Sequence, residues 1–193
     1  NGQKIEISVN VAHSNFEETV FLLFHGRLPN RKELEANQKT LSATANRRLP
    51  PKLLAMLRQL PKKTTPMDVL RTGVSALSAF DPDAADNSHD ATLRKSMRLV
   101  AQIPTLVAAW ERIRRGKAPV APNPKLSLAA NFLYMMSGKK PTDLASKTFD
   151  VALILHADHE FNASTFAARV TAATLSDVHS AVVSGIGALK GPL

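Results

Sequence analysis

Apolar residues recur at helical spacing along most of the chain. Phe16, Val20, Leu23 and Phe24 form one apolar stripe that stops at Gly26, because residues three and four positions apart share one face of an α-helix and glycine suits the left-handed residue that ends one. The same spacing predicts further helices, in chain order, over 30–46, 50–61, 66–80, 126–137, 143–157, from Asn162 or Ser164 to Ala173, and 178–189.

The starts of several helices are marked by capping residues. Ser14–Glu17 and Thr65–Asp68 have the form of capping boxes, Asn30–Glu33 opens the next helix, and Asp177 precedes the last one. In such a motif a side-chain oxygen accepts a hydrogen bond from a backbone N–H that has no partner within the helix. These signals predict where the chain enters each helix.

The longest periodic segment runs from Asp90 to Arg115. Apolar side chains surround its middle, while Arg94, Lys95 and the arginines from Arg112 onward predict exposed, hydrated ends. A helix that is apolar all round lies at the centre of a bundle or inside a subunit interface. With at most one short extended piece, over residues 4–9, the chain is predicted to be all-α, a multi-helix bundle that forms one domain over residues 1–193.

Composition narrows the function classes without choosing one. A hydrophobic content of 44% is enough for a core in a chain of 193 residues. The absence of cysteine excludes disulfides and thiolate chemistry and suits a reducing compartment, and we see no apolar run long enough to cross a bilayer. We therefore expect a cytoplasmic protein without a membrane partner.

The formal net charge of +9 raises the question of nucleic-acid binding, since 25 Lys and Arg face 16 Asp and Glu. The basic residues are dispersed, with short clusters at Arg47-Arg48, Lys62-Lys63 and 112–117, and aromatic residues make up only 5% of the chain. A surface that stacks bases would interleave aromatic and basic side chains. We expect no nucleic-acid partner, which leaves a solvated basic face or an attraction for anionic metabolites.

The richest polar stretch is 155–165, which carries two imidazoles, two carboxylates, an amide and two hydroxyls directly after an apolar run. At about 100° per residue on a helix, His156, His159 and Glu160 share a face that apolar residues continue. Polar groups delivered into an apolar wall are typical of a small-molecule site.

Four interpretations of this stretch compete. A metal site is disfavoured because zinc proteases place two histidines four residues apart with a glutamate between them. Nucleophilic catalysis by Ser164 or Thr165 lacks the strand-turn-helix context of a serine elbow. Spacing alone leaves open whether His156 is a hydrogen-bonded core histidine and Asn162 a helix N-cap, or whether the histidines bind a small anion beside a helix N-terminus.

At these residues the chain resembles the citrate synthase family. The resemblance rests on 155–160, 162–165, 176–177 and 185–193, and it extends in family order through 14–18, 26–29, 66–71, 101–105 and 131–135. It implies the fold of that family's large helical domain. Asn1-Gly2-Gln3 departs from the Arg-Gly-Tyr-like turn that is usual in the family.

The resemblance implies condensation of acetyl-CoA with oxaloacetate and water to give citrate and free CoA, the acyltransferase step of the tricarboxylic acid cycle. The CoA thioester is a substrate, and we expect no cofactor and no metal. His159 matches the family's oxaloacetate ligand, Asn162 is expected beside the same pocket, and His156 is a weaker match. Synthesis of 2-methylcitrate from propionyl-CoA is an alternative, since residues 160–166 are similar to those enzymes too.

Two further expectations come from the family pattern. Its members are dimers through helices of the large domain, which predicts a homodimer through residues 67–80 and 90–115. In the family, Gly-Pro-Leu runs into a His-Gly-Gly-Ala-Asn element whose histidine acts in catalysis with a later aspartate, whereas this sequence stops at Leu193. We therefore name no catalytic residue, and we expect these residues, without the family's small domain, to be inactive alone, as part of a longer enzyme or as a dimerising scaffold.

Overall fold

All regular structure is helical in the computed structural model, which describes residues 14–157 and 162–192. The all-α prediction is confirmed, while the extended piece predicted over residues 4–9 lies outside the described residues. The helices, in chain order, are α1 (Phe16–His25), α2 (Arg31–Ser42), α3 (Thr44–Arg47), α4 (Pro51–Gln59), α5 (Pro66–Leu77), a turn of 3₁₀ helix (Ser78–Phe80), α6 (His89–Arg114), α7 (Leu128–Ser137), α8 (Asp143–Ala157), α9 (Ala163–Ala173) and α10 (Val178–Leu189).

The capping residues act largely as the sequence predicts. Asn30 Oδ1 accepts from the backbone N–H of Glu33 at 3.0 Å, and the Glu33 carboxylate accepts from the backbone N–H of Asn30 at 2.8 Å. The cap of α1 is shifted by one residue, because Asn15 rather than Ser14 accepts from the backbone N–H of Glu18, at 2.9 Å. The Ser14 hydroxyl instead donates to the Glu18 carboxylate.

The helix predicted over 30–46 is wrong as a single element, because the chain leaves helical geometry at Ala43, where ψ is 130°. Two side chains beyond the break satisfy the carbonyls that α2 exposes at its end. Asn46 Nδ2 donates to Thr40 O at 2.8 Å, and Arg47 Nε donates to Leu41 O at 2.6 Å. These bonds stabilise the break, since the last carbonyls of a helix need partners from outside it.

Helix α6 is shared by two hydrophobic clusters. The first cluster joins it to α4, α5 and α10, and its buried members are Leu49, Leu53, Leu57, Val69, Val74, Leu77, Leu99, Leu106, Ala109, Trp110, Ile113 and Ile186. The second cluster joins it to α1, α2 and α7 through Val20, Leu41, Ala101 and Leu128. Helix α6 is therefore apolar on several sides because it packs against other helices of this chain on those sides.

Helices α5 and α6 approach very closely at Gly73. A Cβ atom at this position would lie 2.6 Å from Cδ2 of Leu106, a distance inside van der Waals contact. The absence of a side chain at Gly73 thus allows the buried Leu106 to pack directly on the backbone of α5.

Helices α1 and α7 receive partners for their first backbone N–H groups from distant segments. Asp150 Oδ1 accepts from the Phe16 N–H at 3.1 Å, and Glu17 Oε1 accepts from the Leu128 N–H at 2.7 Å. Both carboxylates are buried. They tie the beginning of the described chain to α7 and α8, and so fix the helix that leads into the polar stretch.

Two cations predicted to be solvated are buried. Lys95 is 0% exposed, and its ammonium donates to Asp86 O at 2.6 Å and to Asn87 Oδ1 at 3.1 Å. Arg47 is 1% exposed and is bound to backbone carbonyls. The prediction of a solvated side chain is therefore wrong for Lys95 near the start of α6 and for Arg47, whereas Arg48, Arg94 and Arg115 are exposed as predicted. Over 14–157 and 162–192, each helix is too short or too polar to span a bilayer.

Candidate functional site

Helix α8 carries the polar stretch to the surface of the bundle. Its Asp150 holds the N-terminus of α1, and its Phe149 ring stacks on Phe132 of α7 with ring centroids 5.0 Å apart. Ile154 is buried, so the last turn of α8 is packed on one side. The helix therefore presents its C-terminal residues from a firmly held base.

His156 lies in the last turn of α8 and is exposed. Its Nδ1 is 2.7 Å from the carbonyl oxygen of Ala152 in the same helix. A carbonyl only accepts, so Nδ1 carries the proton, and in the neutral ring Nε2 is an acceptor. Because His156 is exposed, its interpretation as a core histidine is wrong in the part of the chain that the structure describes. Its ring is nevertheless oriented by the hydrogen bond to Ala152.

Asn162 is the N-cap of α9. Its Oδ1 accepts from the backbone N–H of Thr165 and from the Ser164 hydroxyl, the latter at 2.8 Å. The carbonyl oxygen of the side chain is thus committed to the helix, and the amide nitrogen is the group that remains for a ligand. His156 and Asn162 each bond their own helix, and no hydrogen bond joins them.

Helix α9 is positioned by α10. At Gly185 of α10 an added Cβ would lie 3.2 Å from the carbonyl oxygen of Ser164, and Thr171 Oγ1 donates to Ser184 Oγ at 2.8 Å. The two helices therefore pack backbone to backbone near the N-terminus of α9. This contact sets where Asn162 and the first N–H groups of α9 lie.

The remaining predicted residues of the stretch lie outside the described residues. These are Asp158, His159, Glu160 and Phe161. The structure therefore does not place His159, the predicted oxaloacetate ligand, or its relation to His156 and Glu160. Among the residues that the structure does describe, no three His, Asp or Glu side chains group as metal ligands would.

Sequence reasoning missed a polar network that joins residues 81–83, after the 3₁₀ turn, to α6 and α10. Arg98 pairs with Asp81 at 2.6 Å and with Asp83 at 2.6 Å, and hydrogen bonds from Arg94 and Arg98 hold the pKa of Asp83 well below its usual range. Buried His179 lies 3.6 Å from the Asp81 carboxylate. The only sequence signal was the run of charges at Asp81–Asp83, which reads equally well as a helix end.

His179 is poorly matched to this network. Its ring lies between the carboxylates of Asp81 and Asp177, both at 3.6 Å, and its Nδ1 has no hydrogen-bond partner among residues 14–157 and 162–192. Burial lowers the pKa of His179 in spite of the two carboxylates, and Lys95 and Arg98 lower it further. The ring is therefore neutral near pH 7.

The outer face of α9 is apolar and uncovered. Phe166 is 71% exposed and Val170 52%, and the two lie one turn apart. Leu175, just past the helix, is 85% exposed and adopts a left-handed conformation with φ of 64°. In the part of the chain that the structure describes, these apolar side chains beside the polar stretch are therefore left exposed to solvent.

Comparison with known proteins identifies the family. The family model described as "Citrate synthase, C-terminal domain" matches residues 2–193. The chain belongs to the citrate synthase family. The resemblance seen at the polar stretch therefore extends over nearly the whole sequence.

The similar proteins of the citrate synthase family are about twice as long as this chain. Citrate synthase 2 of Bacillus subtilis is 46% identical over 182 residues, covering 94% of this chain and 48% of that protein. The 2-methylcitrate synthase of Mycobacterium tuberculosis is 46% identical over 182 residues, covering 94% of this chain and 45% of that protein. The crystal structure of citrate synthase from Pyrobaculum aerophilum matches 96% of this chain and 48% of that chain, with a TM-score of 0.91 at 41% identity. The chain spans about half the length of these relatives.

Proposed function

We propose that the protein condenses acetyl-CoA with oxaloacetate and water to give citrate and CoA. The observation that supports this most is that a chain of the citrate synthase family carries the polar stretch at the junction of α8 and α9. In this reaction the acetyl methyl carbon loses a proton and bonds to the ketone carbon of oxaloacetate, whose oxygen gains a proton. Water then cleaves the thioester, and CoA leaves as the thiol.

In this proposal the residues of 156–162 bind oxaloacetate. His159 donates an N–H to the substrate, and the amide nitrogen of Asn162 donates a second hydrogen bond because its oxygen caps α9. The N-terminus of α9 favours the dianion, since helix N-termini attract negative charge. His156 commits Nδ1 to the Ala152 carbonyl, which suits a role in positioning its neighbours rather than direct carboxylate binding.

The test is thiol release from acetyl-CoA, measured with and without oxaloacetate, together with the intact mass of the same preparation. From a preparation of about twice the mass of these 193 residues, as in the relatives of this chain, we expect release only when both substrates are present. A preparation whose intact mass matches these 193 residues alone should release no thiol, and release by it would contradict the expected inactivity. His159→Gln should raise the KM for oxaloacetate by more than about tenfold, the effect of losing one strong hydrogen bond. His89→Gln, a change at an exposed histidine that starts α6, should leave KM unchanged. Thiol release at the same rate with and without oxaloacetate would contradict the proposal. Equal changes in the KM for oxaloacetate in the two variants would contradict it as well.

Propionyl-CoA is the second candidate substrate. The support is that the 2-methylcitrate synthase of M. tuberculosis is as similar to this chain as citrate synthase 2 of B. subtilis, at 46% identity each. The ratio of kcat/KM for acetyl-CoA to that for propionyl-CoA decides between them. A ratio above one favours citrate synthesis, and a ratio below one favours 2-methylcitrate synthesis.

We further propose that the protein is a homodimer through 67–80 and 90–115. Support from α5 comes from the following turn, where Phe80 is 42% exposed. Much of the apolar surface of α6 lies in the two hydrophobic clusters, so the support from that helix is weaker than its sequence suggests. Light scattering at micromolar concentration should give twice the chain mass, and a monomeric mass would overturn the dimer.

A further inference from the structure

A cavity of about 310 Å³ lies between α4, the middle of α6 and the extended segment 118–122. Its wall is largely apolar and includes Leu54, Ala109 and Val120. The volume is at the lower end of the range that small-molecule sites occupy. The described residues that line it belong neither to α8 nor to α9, so the proposed function does not account for this cavity.

The outer wall of the cavity is fixed at both ends by arginines. Arg112 Nε donates to the carbonyl of Ala118 at 2.6 Å, and Arg47 Nη1 donates to the carbonyl of Asn123 at 3.0 Å. Between these anchors, Pro119 and Pro122 lock φ near −65°. The wall is therefore preorganised, and ligand binding does not incur the entropy cost of ordering it.

The open side of the cavity is positively charged. Arg48 and Arg58 line it and are exposed, and neither forms an ion pair within the described part of the chain. The lining that the structure describes contains no carboxylate. Thr105 adds a buried hydroxyl to the wall, and this hydroxyl has no hydrogen-bond partner in the residues described.

We propose that this cavity binds a small amphipathic anion, namely a medium-chain aliphatic carboxylate. The planar guanidinium groups of Arg48 and Arg58 match a carboxylate head, which they can bind through paired N–H donors. The apolar wall between Leu54 and Val120 then removes the hydrocarbon chain from water.

The experiment is calorimetric titration of the purified chain with octanoate, below the concentration at which octanoate self-associates. We expect saturable binding that weakens as salt is added, because exposed arginines supply the attraction. Uncharged 1-octanol should bind at least about tenfold more weakly, since it lacks the charge-assisted contacts. Equal affinity for the two compounds, or no heat with octanoate at millimolar concentration, would overturn the proposal.

Three variants locate the site. The double variant Arg48→Gln/Arg58→Gln should lose at least about tenfold in affinity for octanoate, whereas Arg31→Gln, at an exposed arginine of α2, should bind like the wild type. Ala121→Phe places a ring at an exposed position of the lining and should abolish binding while the far-ultraviolet circular dichroism stays unchanged. Octanoate binding that survives both the double variant and Ala121→Phe would overturn the assignment to this cavity.

Discussion

The buried guanidinium of Arg47 provides the sharpest test of what holds this fold together. It donates to the carbonyl oxygens of Leu41 at 2.6 Å, Asn123 at 3.0 Å and Leu126 at 2.9 Å. The residue thereby ties the end of α2 to the segment that precedes α7. Arg47→Met keeps a long unbranched side chain in this place but removes every donor.

The expected loss follows from the carbonyls that stay behind. Each buried acceptor left without a donor costs about 1–3 kcal/mol. The substitution leaves two of them, at Leu41 and Leu126, because the Asn123 carbonyl still accepts from the Leu126 N–H at 3.3 Å. Removing a buried charge returns part of this cost, because burial disfavours the guanidinium. We therefore expect the free energy of unfolding to fall by about 3–5 kcal/mol. Arg47→Lys should lie in between, since one ammonium reaches fewer of these acceptors than a planar fork.

Urea denaturation followed by circular dichroism measures this loss. With a slope of about 1–3 kcal/mol per molar urea, Arg47→Met should lower the midpoint by more than about 1 M. The matched control is Arg31→Met, whose side chain is 93% exposed and pairs with Glu35 one turn away. Such a pair contributes about 0.3–0.5 kcal/mol. If the two methionine variants differ by less than about 1 kcal/mol, the carbonyls are satisfied by water and the reasoning is wrong.

Three further predictions concern stability. Gly73→Ala should lower the free energy of unfolding by about 1 kcal/mol, because the added methyl group overpacks against Leu106. Leu106→Val should relieve this overpacking, so a double-mutant cycle should give a coupling above about 0.5 kcal/mol. Additive effects of the two substitutions would contradict the close contact. Burial lowers the pKa of His179 in the folded state, whereas in the unfolded state this pKa is about 6.5. Just below that pH the unfolded state binds more protons than the folded state. The free energy of unfolding should therefore rise with pH up to about 6.5 and level off above it. His179→Gln should flatten that rise in urea midpoints between pH 5 and 8, and an unchanged slope would assign it to other groups. Leu175→Gly should stabilise by up to about 1 kcal/mol in thermal melts, since it relieves a left-handed conformation; destabilisation would mean that the leucine side chain is held by contacts.

Local features of the fold are the ones that the sequence predicts well. Helix periodicity and capping involve residues three or four apart, so Asn30 with Glu33 and Asp177 with Ser180 are visible in the sequence and present in the structure. Even here neighbouring candidates compete, and the cap of α1 moves from Ser14 to Asn15. The break at Ala43 was missed because its cause is a set of side-chain bonds from beyond the helix.

Buried charges could not be predicted, because their partners are distant in sequence or belong to the backbone. Arg47 binds the carbonyl of Leu126, 79 positions away, and Lys95 binds the carbonyl of Asp86. Backbone carbonyls exist at every residue, so no residue type signals such a site. The candidate site itself was found from a local cluster of polar residues, and that pattern gave no sign that His156 is exposed and bonded within α8.

The reciprocal bonds of α1 with α7 and α8 have a consequence for synthesis of the chain. The Phe16 N–H has its partner in Asp150, 134 residues later, and the Glu17 carboxylate has its partner in Leu128, 111 residues later. A chain emerges from the ribosome at about 5–20 residues per second, so α1 waits roughly 7–27 s for its last partner. During that interval the Phe16 N–H and the Glu17 carboxylate lack these two partners, so the final anchoring of α1 comes only after α7 and α8 have been made.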